Sequence, residues 1–280
     1  MLNEAAAAAA GLQALAKSPR MPVLFIGHGS PMNAIEDNEF RRSWQVLGAE
    51  FGKTYPKPQL VLCISAHWLT RGWQLTGQAR PKTIHDFGGF PQALFDQQFP
   101  APGAPEVARQ IAAGIAQPKV GIDAVEWGYD HGTWSVLKPM FPSADVPVIQ
   151  LSMDYSRPPA EHFALGQQLK SLRERGVLIL GSGNIVHNLR AIRREANATQ
   201  AYDWAFEFDA KMAALLEKGA LAELAEFQKL GQVAQLAHPT YDHYLPLLHA
   251  AGAAEPGEKM RFFNDRFQAG SISMRSVVWG

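Results

Sequence analysis

Cysteine is nearly absent from this sequence: Cys63 is the only one in 280 residues. An intramolecular disulfide and a thiolate metal cluster are therefore excluded. The apolar neighbours Leu60, Val61, Leu62 and Ile64 predict a buried, unreactive thiol. The lack of disulfides is compatible with a reducing compartment, and the cytoplasm is the expected setting. Net charge is absent too, with 26 Lys and Arg against 26 Asp and Glu. No basic surplus points to nucleic acid or to an anionic membrane surface. No apolar run approaches the roughly 20 residues that a membrane helix needs. A secretion signal would place positive charge before its apolar core. Here Glu4 precedes the alanine run at 5–10, and the first lysine is Lys17. Residues 1–20 therefore read as an alanine-rich arm outside the fold, followed by one domain at 21–280. Several signatures are missing as well. There is no His-Glu-x-x-His pair, no P-loop or dinucleotide fingerprint, and no Gly-x-Ser-x-Gly elbow. Gly29-Ser30-Pro31 and Gly181-Ser182-Gly183 both lack the required frame.

What is present is a hydrophobic content of 47%, ample for a core, and a repeated local pattern. The run Pro22-Val23-Leu24-Phe25-Ile26 has strand length and ends in Gly27-His28-Gly29-Ser30-Pro31. Residues 59–65 form a second continuous apolar run, which ends in Ala66-His67-Trp68. Helical spacing over 34–51 lies between them, so the unit reads as βαβ and implies a parallel pair. A third run at 177–180 leads into Gly181-Ser182-Gly183-Asn184, and 185–189, with His187, resembles the first turn of a helix. Further strands are predicted at 74–76, 120–125 and 146–152. Helices are predicted at 104–116, 158–175, 204–218 and 221–230, with another beginning near His238 and running to 251. A terminal hairpin is predicted over 261–267 and 271–279, around Gly270. The expected fold is a single α/β domain whose central, mostly parallel or mixed sheet is flanked by helices.

Ligands of open α/β sheets bind outside the carboxyl ends of the strands. His28, His67 and His187 each follow a buried strand at that inferred edge. His243, near a late helix start, can point towards the same place. The glycines beside His28 leave its imidazole unscreened and would let a metal and a flat ring approach. Of the nine histidines, His162 and His249 lie on helices and are expected to be structural, and His238 to flank the Pro239 turn. Three or four imidazoles without thiolates suit zinc, iron, copper or nickel.

Taken together, these segments resemble the DOPA 4,5-extradiol dioxygenase family of class III ring-cleaving dioxygenases, related to the catalytic subunit of protocatechuate 4,5-dioxygenase. The resemblance runs from about Met21 to Gly280. It rests on Gly27-His28-Gly29-Ser30-Pro31, Ser65-Ala66-His67-Trp68, the loop from Thr83 through His85-Asp86-Phe87-Gly88-Gly89-Phe90-Pro91, Asp130-His131-Gly132, Val186-His187-Asn188-Leu189 and His243-Tyr244-Leu245-Pro246-Leu247. It implies a mononuclear non-haem site at the carboxyl ends of the strands, with Fe(II) for activity and Zn(II) able to occupy the same ligands. His28, His67 and His243 would be ligands. His243 replaces the glutamate of the protocatechuate branch, which leaves the part of Asp242 open. His187 would be the acid–base residue and, in the absence of substrate, a further ligand of the metal. His131 and His85 would contact substrate, His85 from a loop that shapes the pocket. The implied reaction inserts both atoms of O2 into a DOPA-like catechol and yields a muconic semialdehyde. Partners would be a small aromatic substrate and O2, with no nucleic acid and no membrane. The residues alone leave open a zinc-dependent hydrolase, a non-catalytic metal-binding protein, and the oligomeric state.

Overall fold

The computed structural model of the chain describes residues 15–197 and 199–280. Its centre is an eight-stranded sheet. The strands are β1 (Val23–Gly27), β2 (Leu60–Leu69), β3 (Trp73–Thr76), β4 (Val120–Asp123), β5 (Val148–Met153), β6 (Val177–Gly183), β7 (Met260–Phe263) and β10 (Ser276–Trp279). Their spatial order is β4-β3-β5-β2-β6-β1-β10-β7. A separate two-stranded ribbon joins β8 (Phe267–Gln268) to β9 (Ile272–Ser273). The middle four strands, β5, β2, β6 and β1, are mutually parallel. Antiparallel partners flank them: β3 beside β5 and β10 beside β1. The sheet is thus mixed, with a parallel centre.

The central strands are buried along their whole length because both faces are covered. Alternate side chains separate into two cores. Val23, Phe25, Leu60, Leu62 and Ile64 face one core. Leu24, Ile26, Val61 and Cys63 face the other. The first core takes helices α5 (Pro159–Leu169), α6 (Asp203–Glu217) and α8 (Leu245–Ala253). The second takes α1 (Glu39–Glu50) and α4 (His131–Met140). Cys63 is fully buried, with Sγ 3.3 Å from Thr133 Oγ1, and burial raises its thiol pKa far above the ordinary value. Among the described residues, no helix is long and apolar enough to cross a membrane.

Several expectations are revised. The strands that carry His28 and His67 do not pair with each other, because β6 lies between them. All three are nevertheless parallel, so their carboxyl ends share one edge. The third run extends to Gly183, and 185–189 is not a helical turn: His187 bridges Ile272 across an extended segment, and a 3-10 turn follows only at Leu189–Ala191. The predicted helix from His238 begins at Leu245, because residues 238–244 form a loop that presses on the end of β6. Residues 221–230 are 3-10 turns rather than an α-helix. The predicted terminal hairpin divides: β7 pairs with β10 in the main sheet, and the β8–β9 ribbon fills the interval. The expected arm at 1–20 falls mainly outside the described residues. Its described part packs on the domain: Leu15 is buried, and the Ala16 N–H donates to Gln59 Oε1 at 3.1 Å.

Three histidines lie away from the strand edge and serve the core. His162 and His249 are fully buried, with His162 Nδ1 3.1 Å from His249 Nε2 and Trp73 edge-on to both rings. His238 Nε2 donates to the Ile185 carbonyl at 2.6 Å. Burial lowers His162 and His238 to about 4 and His249 well below its ordinary value. These imidazoles stay neutral in the fold, while the unfolded chain takes up protons below about pH 6.5. The stability they contribute is thus complete above pH 6.5 and is lost as pH falls towards 4. The metal-free protein should show a melting temperature that drops steadily between pH 7 and pH 4.5 in calorimetry; a flat profile would contradict this assignment.

Candidate metal centre

Four histidines converge because four chain segments end at one sheet edge. His28 follows the last residue of β1, and its N–H continues the ladder to the Gly183 carbonyl at 3.0 Å. His67 lies within β2 rather than after it. The pairing of β2 with β6 ends at Ser65–Ser182, and its register with β5 shifts between Ile64 and Leu69. That irregularity carries His67 past the sheet edge, a common use of a bulge. His187 follows β6 and is held by its N–H to the Ala237 carbonyl at 3.0 Å. His243 comes from the loop before α8, and its carbonyl accepts the Asn184 N–H at 2.8 Å.

That last approach depends on Gly183, where a Cβ would stand 2.2 Å from the His243 carbonyl oxygen. Gly29 has a different role from the one expected. It has φ +58°, and its Cα faces Met274 and Gln268 rather than open space. Its conformation sets the turn after His28, and the residue also lines the cleft.

Proton placement follows from the hydrogen bonds. The Ser182 hydroxyl donates to the Gly132 carbonyl, so its oxygen accepts from His28 Nδ1–H, 3.0 Å away. His243 Nδ1–H donates to Asp242 Oδ2 at 2.5 Å. Asp86 Oδ2 lies 3.5 Å from His67 Nδ1, which draws that ring's proton to Nδ1. A neutral imidazole carries one N–H, so all three rings present a bare Nε2. His28 Nε2 and His67 Nε2 are only 3.2 Å apart. The donor atoms of His28, His67 and His243 lie within 4.8 Å of one another. Burial first, then the neighbouring imidazoles, holds His28 and His243 well below the ordinary histidine pKa; burial takes His67 to about 3. Three neutral imidazoles with unshared pairs aimed together fit a borderline transition-metal ion. Asp242 and Ser182 act on the far nitrogens, the usual outer support for metal-bound histidine.

His187 stands outside that triad. Its ring lies flat on His243, with centroids 3.5 Å apart and planes 4° from parallel. Burial lowers it to about 4. His131 is the first residue of α4, where Asp130 caps the helix by accepting the Thr133 N–H at 3.1 Å. Its ring centroid is 3.9 Å from that of His67. His85 is not brought to the centre: its Nε2 donates to the Gln97 carbonyl at 2.9 Å and the ring packs among Phe87, Phe95 and Trp134. It braces the loop, while its neighbours Asp86, Phe87 and Phe90 line the cleft.

Asp86 is the residue that sequence reasoning passed over. Oδ1 accepts the His131 N–H at 2.8 Å, and Oδ2 lies 3.0 Å from His131 Nδ1. Burial raises the Asp86 carboxyl, but the His131 and His67 contacts outweigh it and leave the pKa below the ordinary value. A second group of donors, His67, Asp86 and His131, also lies within 4.8 Å. The only available signal was a carboxylate beside a histidine in an aromatic loop. Asp130 is fully buried, accepts Ser65 Oγ at 2.6 Å and Gln150 Nε2 at 2.7 Å, and is raised by burial.

The histidines form the floor of a cleft of about 1070 Å³. Its walls carry Phe40, Phe87, Phe90, Leu189, Ile192 and Phe267. Trp127, Tyr129 and Trp134, which flank His131 in sequence, are not in the wall; Tyr129 and Trp134 belong to the core. Two outcomes are expected. His28→Ala and His67→Ala should each purify without bound metal by atomic emission, and full occupancy in both would remove the assignment. Gly183→Ala should weaken zinc binding by about 10-fold or more in calorimetric titration, because the added methyl displaces His243; unchanged affinity would show that the close approach does not matter.

The family model described as the catalytic LigB subunit of aromatic ring-opening dioxygenase matches residues 22–276. A 4,5-DOPA dioxygenase extradiol of Escherichia coli K12 is 45% identical over 94% of this chain and 96% of its own. The protein of the same name from Beta vulgaris is 36% identical over 90% and 94%. A crystal structure of an uncharacterized protein from Escherichia coli K12 superposes with a TM-score of 0.78 at 38% identity, covering 93% of this chain and all of that one. The imidazole cluster at the strand edge, the aromatic cleft above it and these matches over nearly the whole length place the chain in the LigB family of aromatic ring-opening dioxygenases, as an extradiol ring-cleaving enzyme that acts on a small aromatic substrate with O2.

Proposed function

We propose that the enzyme cleaves a DOPA-like catechol to a muconic semialdehyde at a single iron(II) held by His28, His67 and His243, and that zinc can take the same nitrogens. The observation that carries this reading is the approach of His28 Nε2 and His67 Nε2 to 3.2 Å in the floor of an aromatic cleft. Bound iron would supply the electron exchange that makes dioxygen reactive towards the ring. All-imidazole ligation leaves the site more positive than a carboxylate set would, which favours an anionic catecholate.

The remaining tasks fall to the chain. Phe87, Phe90 and Phe267 flank the space above the histidines and exclude water from a flat ring. His187 enters the reaction neutral, since burial holds it at about 4, so a ring nitrogen can take a catechol hydroxyl proton and later return it. Its stacking on His243 holds it beside the centre without requiring it as a ligand. His131 faces the same space, and the Asp86 carboxylate beside Nδ1 favours an N–H there. Its Nε2 is then the nitrogen available to accept a hydrogen bond from a substrate hydroxyl.

Two measurements test this. Protein reconstituted anaerobically with iron should consume one O2 per catechol in an oxygen electrode, and the zinc-loaded protein none; turnover by the zinc form without oxygen would overturn the reading. His187→Ala should retain its iron but lose about 10² to 10⁴ in turnover. Near-normal single-turnover rates would remove the acid–base role.

A further inference from the structure

The two nitrogens of His67 face two different sets of donors. Nε2 lies 3.2 Å from His28 Nε2, in the first centre, and Nδ1 on the other side of the ring lies 3.5 Å from Asp86 Oδ2. The same Oδ2 is 3.0 Å from His131 Nδ1. Donors of His67, Asp86 and His131 lie within 4.8 Å of one another, as those of the first triad do. Ligands held 2.0–2.2 Å from a tetrahedral zinc ion stand about 3.3–3.6 Å apart, so spacings of 3.0 and 3.5 Å suit three ligands of one ion. A plain carboxylate–imidazole hydrogen bond fits less well. His131 is only 7% exposed, and its Nδ1 is buried without a hydrogen-bond partner among the described residues. Asp86 Oδ2 is close enough but lies off the line of the ring N–H, and hydrogen bonds weaken steeply with angle. Ligands of a common ion aim their electron pairs at the ion and not at one another. Asp86 Oδ1 is fixed by the His131 backbone N–H at 2.8 Å, which leaves Oδ2 for other use. All three residues line the cleft, which gives a hydrated ion a route in from solvent.

We propose that His67 Nδ1, Asp86 Oδ2 and His131 Nδ1 form a second, weaker site for a borderline divalent cation such as zinc, with His67 bridging it to the first metal. Two imidazoles and one carboxylate suit zinc better than the hard cations magnesium and calcium. With Nε2 held by the first metal, the second ion takes the place of the His67 Nδ1 proton, which leaves to solvent. That loss and the repulsion between two cations make the second site the weaker one. Protein purified without added zinc therefore carries the first ion alone. On His131 the ring proton moves from Nδ1 to Nε2 as the ion binds, so Nε2 becomes a donor. Inhibition by excess zinc follows if that nitrogen accepts from a substrate hydroxyl. This consequence rests on the ring-cleavage reading, whereas the site itself does not.

The test dialyses untagged, zinc-loaded protein to equilibrium against excess zinc and reads zinc per chain by atomic emission. The wild type should rise from one ion to two. Asp86→Asn, which keeps the shape and the acceptor for the His131 N–H, should stay at one, and so should His131→Phe. His85→Gln, which leaves all three donors in place, should reach two. A wild type that stops at one overturns the site, and so does either of the first two variants reaching two, as adventitious surface binding would allow. X-ray absorption on the wild type decides the matter without a variant. Filling the second site should lower the mean from three imidazoles per zinc to about 2.5 and bring in carboxylate oxygen. A second ion that brings no imidazole overturns the site. The first centre is judged separately, by the loss of its ion in His28→Ala, and no turnover is read, so a failure of the ring-cleavage reading leaves these outcomes unchanged.

Discussion

Two unshared electron pairs, on His28 Nε2 and His67 Nε2, are held 3.2 Å apart in a buried site. Such an arrangement is repulsive unless a cation accepts both pairs. The contacts that create it are all on the far side of the rings: hydrogen bonds from His28 to Ser182 and from His243 to Asp242, and the Asp86 carboxylate 3.5 Å from His67 Nδ1. Burial adds to it by keeping the imidazoles neutral, which is the state a metal binds. The site is therefore organised by what surrounds the ligands as much as by the ligands.

The sheet makes this convergence possible. Parallel β1, β2 and β6 bring three chain segments to one edge, and the central position of β6 sets the spacing between His28 and His67. Two local devices complete the set. The irregular end of β2 aims His67 over the edge, and Gly183 lets the His243 loop settle against the end of β6. The outer wall is built from different material: the loop of Phe87 and Phe90 on one side, and the segment after His187 on the other.

Much of this was legible in the residues. Continuous apolar runs ending in His-bearing turns announced buried parallel strands, since both faces of such strands are covered. The α/β class and three of the strand-edge histidines follow from that pattern. The late loop containing His243 was legible mainly through family resemblance. What could not be read has a common physical reason: it depends on contacts between segments distant in sequence. The insertion of β6 between β1 and β2 leaves no local trace. His187 lies in an extended segment because Ile272, 85 positions on, bridges it, although its own neighbours resemble a helix start. Asp86 gains its role from His131, 45 residues away, and His85 loses its expected role to Gln97. The glycines near His28 were read as access for ligand; the contacts with Met274 and Gln268 that also keep Gly29 free of a side chain come from the far end of the chain.

The central claim is that three neutral imidazoles, each presenting Nε2, form one metal site. X-ray absorption at the metal edge of the iron- or zinc-loaded protein tests it most directly. The account predicts three imidazole nitrogens at about 2.0–2.1 Å for zinc, with the imidazole scattering reduced by one in His243→Ala. A first shell dominated by carboxylate oxygen, or one unchanged by loss of His243, would contradict it.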